Sequence, residues 1–156
     1  MAEPARDRRL GLTVTRVLAA PRDRVWREWT EPERFAGWFG GPDADVPLDT
    51  VAMDVRPGGA WRATMFSGPE RREIRWEGAY REVEPPERLV FTISDAPGRA
   101  EDAHELVVVV LRDLGDGRTE MFVEQHGHLP PDVYDVARNG WGVFFDAMAE
   151  RLAAAG

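Results

Sequence analysis

The sequence has no cysteine, and all 20 residues of its Lys+Arg count are arginine, so it has no lysine either. Without cysteine there is no thiol nucleophile, no disulfide framework and no thiolate metal site. Without lysine there is no side-chain amine for a Schiff base and no P-loop cation for nucleotide phosphates. Serine is scarce as well, present only as Ser67 and Ser94. Each stands beside Gly or Asp at the end of an apolar run, where serine serves turns, so a Ser-His-Asp triad finds little material.

Positive charge is the minority sign: 28 acidic residues against 20 basic give a formal net charge of -8, with no basic block. Nucleic-acid binding needs a basic footprint and is therefore not expected. No apolar run approaches membrane-spanning length, so membrane insertion is not expected. The opening Met1-Ala2-Glu3-Pro4-Ala5-Arg6-Asp7-Arg8-Arg9 carries no apolar stretch of the secretory kind, and a cytoplasmic location is the expectation.

What is present is enough chain, 156 residues, for one domain with its own core. Residues 1–9 read as a disordered polar arm and 10–156 as a single domain. Residues 12–18 alternate as a strand. Pro21 opens a short helix in which Val25, Trp26 and Trp29 share a face. Thr30-Glu31-Pro32-Glu33 fits a capping box and predicts a second short helix carrying Phe35, Trp38 and Phe39, stopped by Gly40-Gly41-Pro42. Residues 46–55 form a weak strand, and 60–66, 74–83 and 89–93 read as antiparallel strands. Residues 105–111 and 119–125 flank the hairpin signal Gly115-Asp116-Gly117. After Pro130-Pro131 the period changes: Val133, Ala137, Trp141, Phe144/Phe145, Met148 and Leu152 mark a long amphipathic helix. Gly140 and Gly142 within it cost helix propensity and point to close packing or a bend. Clustered strands with one long helix last argue for an antiparallel sheet in an α+β domain.

Several spaced motifs, in order, give the sequence a family likeness. Ala20-Pro21-x4-Trp26-x2-Trp29-Thr30-x-Pro32-x5-Trp38 is the first, followed by Arg56-Pro57-Gly58-Gly59-x-Trp61. Gly78-x-Tyr80-x2-Val83-x-Pro85-Pro86-x-Arg88-Leu89-Val90-Phe91-Thr92 and Gly140-Trp141 complete the set. Over roughly residues 12–154 the chain resembles the Hsp90-ATPase-activator homologue-like (AHSA1-type) family of the SRPBCC superfamily. The resemblance implies the helix-grip (Bet v 1/START-like) fold: a curved seven-stranded antiparallel sheet wrapped around a long C-terminal helix, with a cavity between them. Members of that superfamily bind lipids, sterols, polyketides or hormones, or cyclise polyketides, and fold alone does not choose among these. The eukaryotic co-chaperone carries an additional N-terminal domain for which this chain has no room, so a chaperone partner is not expected.

Alternation along the strands then proposes an inward face. Taking Trp61 as inward gives Trp61, Ala63 and Met65, then Trp76, Gly78 and Tyr80, then Leu89, Phe91 and Ile93. The hairpin contributes Val107, Val109, Leu111, Met121, Val123 and Gln125, and the helix Trp141, Phe145 and Met148. From these the expected ligand-binding residues are Trp61, Met65, Trp76, Tyr80, Phe91, Val109, Met121, Val123, Gln125, Trp141 and Phe145, with Trp38 near the mouth. The same aromatics equally well fill a solid core, and a register shift of one residue would reverse the whole assignment. Arg62, Arg75 and Arg81 are expected to form outward rows. The acidic pairs Glu70/Glu73, Glu82/Glu84 and Glu101/Asp102 read as solvated faces, and His104 as a rim residue. Glu124, His126 and His128 have metal-like spacing, but Glu124 and His126 fall on the outward face, so no metal is expected.

These features predict binding of a small hydrophobic molecule, lipid-like, aromatic or polyketide-like, by a monomer or homodimer without a cofactor. Trp61→Ala is then expected to weaken binding and leave the fold. The alternatives are a polyketide cyclase/aromatase-type enzyme that uses Tyr80 in proton exchange, a protein that sequesters a natural product, and a co-chaperone-type interaction module. The absence of any strong nucleophile from the proposed wall favours binding over turnover.

Overall fold

A computed structural model describes residues 10–98 and 103–155. The arm expected over residues 1–9 and the pair Glu101/Asp102 lie outside the described residues. The chain runs β1 (Leu10–Leu18), α1 (Arg22–Thr30), α2 (Pro32–Phe35), β2 (Ala44–Asp45), β3 (Ala52–Met53), β4 (Ala60–Ser67), β5 (Arg72–Glu84), β6 (Arg88–Ile93), β7 (Glu105–Asp113), β8 (Thr119–Gly127) and α3 (Pro131–Ala155). The sheet order is β1-β8-β7-β6-β5-β4-β2, with β3 also on β4 and every pairing antiparallel. The sheet grips α3 against its concave face in the helix-grip arrangement. No helix among the described residues is long and apolar enough to cross a membrane.

Two local expectations are corrected. The weak strand over 46–55 is two short strands, β2 and β3, separated by a 3-10 turn at Leu48–Thr50. Pro47 has no N–H to give a ladder, and the Thr50 hydroxyl accepts the Thr64 N–H at 3.1 Å in place of a strand carbonyl. The capping box at Thr30 is absent. Thr30 closes α1, its hydroxyl donating to the Trp26 carbonyl at 2.9 Å, while Glu31 stands at the N-cap of α2 with no side-chain bond to the helix backbone, its carboxylate accepting instead from Arg34 Nε at 2.8 Å. Pro32 accounts for this: the residue before a proline is pushed out of the helical region, and Glu31 is extended at φ -110, ψ 126. The helix α2 is a single turn, and Trp38 and Phe39 follow it in turns.

The inward register holds as the alternation proposed. In β8, Met121, Val123 and Gln125 are buried and alternate with half-exposed Phe122, Glu124 and His126. In β4, Trp61, Ala63 and Met65 are buried, while Arg62 is exposed. Arg75 and Arg81 of β5 are exposed on the outer face as well.

The β5–β6 register shifts between Tyr80 and Glu82, an irregularity of the kind that bends a strand. Gly78 stands opposite Trp61 in the ladder. A Cβ at Gly78 would collide with the Thr92 carbonyl oxygen and the Trp61 indole nitrogen. Its absence lets the Trp61 Nε1–H reach across to the Thr92 carbonyl at 2.9 Å, while the Thr92 hydroxyl accepts the Ala79 N–H at 2.9 Å. Two side-chain bonds thus replace ladder bonds at the bend, so the buried backbone groups stay satisfied.

One buried ion pair fastens the two ends of the chain. Glu28 of α1, 2% exposed, accepts from Arg151 of α3 at 2.9 and 3.4 Å. The Trp38 indole donates to the Glu28 carbonyl at 2.8 Å. Arg151 keeps 35% of its side chain in solvent, which lowers the desolvation cost.

Two stability outcomes follow. Gly78→Ala is expected to lower unfolding free energy by about 1–3 kcal/mol through overpacking at the bend, read by urea melts. Glu28→Ala should cost about 1–3 kcal/mol because it strands Arg151 beside a buried surface. A double-mutant cycle with Arg151→Ala should give strong non-additivity; simple additivity would mean the pair carries no coupling.

Candidate functional site

The concave face of the sheet is filled unevenly. At one end, Trp29 of α1 is the centre of an aromatic cluster. Its ring lies 4.8 Å from Trp38 edge-on, 5.9 Å from Phe145, 6.0 Å from Phe91 and 6.1 Å from Trp141. Its Nε1–H points at the Met121 sulfur at 3.4 Å. Phe35, stacked on Phe39 at 4.5 Å, extends the cluster to Trp61 at 5.9 Å. Edge-to-face packing of this kind adds to plain area burial.

At the other end, a cavity of about 370 Å³ lies between the first half of α3 and the ends of the strands. The helix side is Val133, Val136, Ala137, Gly140, Trp141 and Phe144. The sheet side is Trp76 of β5, Ile93, Ser94 and Asp95 at the end of β6, Ala103 and Glu105 at the start of β7, and Gln125 of β8. Phe39 and Leu129 close the remaining walls. Phe39 sits 5.7 Å from Trp76 and 5.4 Å from Phe144, so it separates the packed end from the hollow one.

Gly140 has its role here. A Cβ at Gly140 would meet nothing within 4 Å, so this glycine is a place where α3 leaves room. The expectation of close packing is corrected at this position. Gly142, two residues on, does face a neighbour: its carbonyl accepts from Arg16 of β1 at 3.1 Å.

A chain of hydrogen bonds braces the cavity. The Trp141 indole donates to Gln125 Oε1 at 2.8 Å, and Gln125 Nε2 donates to Glu105 Oε1 at 3.3 Å. The Tyr134 hydroxyl donates to the same Glu105 oxygen at 2.6 Å and accepts from the Leu129 N–H at 3.2 Å. The His128 N–H reaches Glu105 Oε2 at 3.3 Å. Gly127 makes this approach feasible, since a Cβ there would strike the Glu105 carboxylate. The network ties the start of α3 to the ends of β7 and β8. One donor is left over: the buried Trp76 Nε1 has no hydrogen-bond partner among the described residues.

Of the twelve expected site residues, the cavity wall contains Trp76, Gln125 and Trp141. Trp38, Trp61, Met65, Tyr80, Phe91, Val109, Met121, Val123 and Phe145 are all buried in the core behind it. Trp38 is not at a mouth but 1% exposed inside the aromatic cluster. Tyr80 and Phe91 border a void of only about 10 Å³, too small for more than a single water; Trp61 borders it as well and also lines a separate hollow of about 310 Å³ with Gly78, Glu77 and His104. Trp61→Ala would therefore open a core cavity and cost stability, contrary to the sequence expectation. Burial raises the Tyr80 phenol well above its ordinary pKa, and the Asp54 charge adds to the effect, so it stays protonated and away from the cavity.

The wall residues that sequence reasoning did not propose as ligand-binding are Phe39, Ile93, Ser94, Asp95, Ala103, Glu105, Leu129 and, on α3, Val133, Val136, Ala137, Gly140 and Phe144. The 3.6-residue period marked three of the helix residues as apolar. Which turn of α3 faces empty space depends on where the aromatic cluster stops, and periodicity does not report that. His104 is half-buried, with its Nδ1 3.4 Å from the Thr92 hydroxyl. His126 Nε2 lies 4.0 Å from Glu124 Oε1 on the outer face, and the described residues contain no cluster of three potential metal ligands.

The fold has solved counterparts. A protein from Nitrosomonas europaea is 26% identical over 94% of this chain and 96% of its own, with a TM-score of 0.77. A protein from Chromobacterium violaceum is 24% identical over 91% and 96%, also at 0.77. The AHSA1 protein from Silicibacter pomeroyi, at 18% identity, superposes over 94% of this chain and all of that one with a TM-score of 0.82. Comparison with curated proteins found no match. The family model described as activator of Hsp90 ATPase homolog 1-like protein matches residues 19–153, and the chain belongs to that family.

Proposed function

We propose that this protein binds a small hydrophobic molecule in the cavity between the sheet and the first half of α3. The observation that carries the reading is the hollow itself: about 370 Å³ walled mainly by Phe39, Trp76, Trp141, Phe144 and aliphatic residues, in a fold whose other end is solidly packed. That volume lies within the ordinary range of ligand pockets, roughly 300–1,000 Å³. Val136 stands 71% exposed at the rim and Val133 38%, apolar surface placed where a ligand would enter. Binding would be driven by removing apolar ligand surface from water, at roughly 25 cal/mol per Å². The hydrogen-bonded brace at Glu105 and Gln125 would hold the wall in shape as the ligand enters. A lipid-like, aromatic or polyketide-like ligand satisfies these requirements equally. Tyr80, the group to which proton exchange would fall in a cyclase-type reading, lies outside the wall, and this favours binding over turnover.

The test uses 1-aminoanthracene, a neutral aromatic probe whose fluorescence rises in apolar surroundings. The wild-type protein is expected to bind it saturably at one site. Gly140→Leu places a side chain in the open space and should abolish binding, with unchanged circular dichroism. Gly140→Ala should raise unfolding free energy by about 0.8–1 kcal/mol, the helix-propensity gain. Tyr80→Phe, in the packed end, should leave probe affinity within twofold. Equal binding by wild type and Gly140→Leu would contradict the proposal.

A further inference from the structure

We infer that the cavity selects an amphiphile with a cationic or hydrogen-bond-donating head over one with a carboxylate head, an inference that rests on the proposed binding reading. The polar groups of the wall are one-sided. Asp95 and Glu105 stand on the sheet side, with Ser94 between β6 and the following loop, while the facing turns of α3 are apolar. Among the described residues, no arginine and no histidine contributes to the wall. Glu105 accepts from three donors, the Tyr134 hydroxyl, the Gln125 amide and the His128 N–H, all of them neutral groups. Three hydrogen bonds position its charge without cancelling it, and among the described residues no ion pair joins Asp95 or Glu105 to an arginine. His104, the neighbouring imidazole, has its Nδ1 beside Thr92 Oγ1.

Two carboxylates on the wall, Glu105 half-buried and Asp95 exposed at the rim, repel an anionic head and attract a cationic one. Trp76 and Trp141 in the same wall place aromatic rings beside the space, where an ammonium group gains cation–π attraction. The apolar body of the ligand then lies under the helix, in the room left by Gly140. An alcohol head meets no repulsion and can donate to a carboxylate, so it falls between amine and acid.

The experiment uses three probes with the same ten-carbon chain: decylamine, 1-decanol and decanoate, each displacing 1-aminoanthracene at pH 7. The expected order is amine, alcohol, acid, with at least tenfold between the first and the last. Asp95→Asn should reduce the amine-to-acid ratio at least threefold. Glu105→Gln should act in the same direction; because Glu105 also braces the wall, the Asp95 variant, which makes none of those bonds, is the decisive one. Equal affinities, a preference for decanoate, or an amine preference untouched by Asp95→Asn would overturn the head-group inference while the binding reading stands. Failure of 1-decanol and 1-aminoanthracene alike to bind would overturn both.

Discussion

The packing around Trp29 decides how the rest of the molecule is arranged. Its indole reaches Trp38 from the short-helix region, Phe91 from β6, and Trp141 and Phe145 from α3, and its N–H finds the Met121 sulfur of β8. A single side chain on α1 thereby sets how deeply the C-terminal helix sits in the sheet. The Glu28–Arg151 pair, one residue earlier in α1, fastens the far end of the same helix. With the C-terminal half of α3 held down on aromatic packing, its N-terminal half stands over a concavity that the available side chains do not fill.

That hollow is maintained and is not simply a packing defect. The bonds joining Trp141, Gln125, Glu105 and Tyr134 hold sheet and helix at a fixed separation across it. Gly140 contributes empty space where an alanine would be the better helix former. A chain selected for stability alone would fill such a site, and leaving it open has the character of a functional compromise.

The fold was readable because it is written in periods. Alternation in β4, β6, β7 and β8 pointed to the correct inward face, and the change to a helical period after Pro130-Pro131 identified α3. Local chemistry was less dependable where two signals compete: at Thr30-Glu31-Pro32 the capping-box pattern lost to the backbone restriction before proline. The site was only partly legible. Alternation gave the inward residues correctly, but inward in this fold means either core or cavity, and nine of the twelve residues proposed from sequence lie in the packed end. What separates the two is the point along α3 at which the aromatic cluster ends, a property of side chains from five elements together. Glu105 gave no sequence signal of its own: it is one acid among 28, and its position against Gly127 exists only once β7 and β8 have paired.

The absent lysine and cysteine take on a local meaning in this frame. Among the described residues, the cavity wall has aromatic rings, two carboxylates, one amide, a serine hydroxyl bonded to the Ala96 backbone and an indole N–H without a partner, and neither a thiol nor an amine. The most direct measurement of this account is isotope-filtered NMR of the labelled protein with 1-decanol. Intermolecular NOEs from the alkyl chain to the Trp76 and Trp141 indoles and the Ala137 methyl, with none to Tyr80 or Phe91, are the predicted result. NOEs confined to other surfaces, or none at saturating 1-decanol, would contradict it.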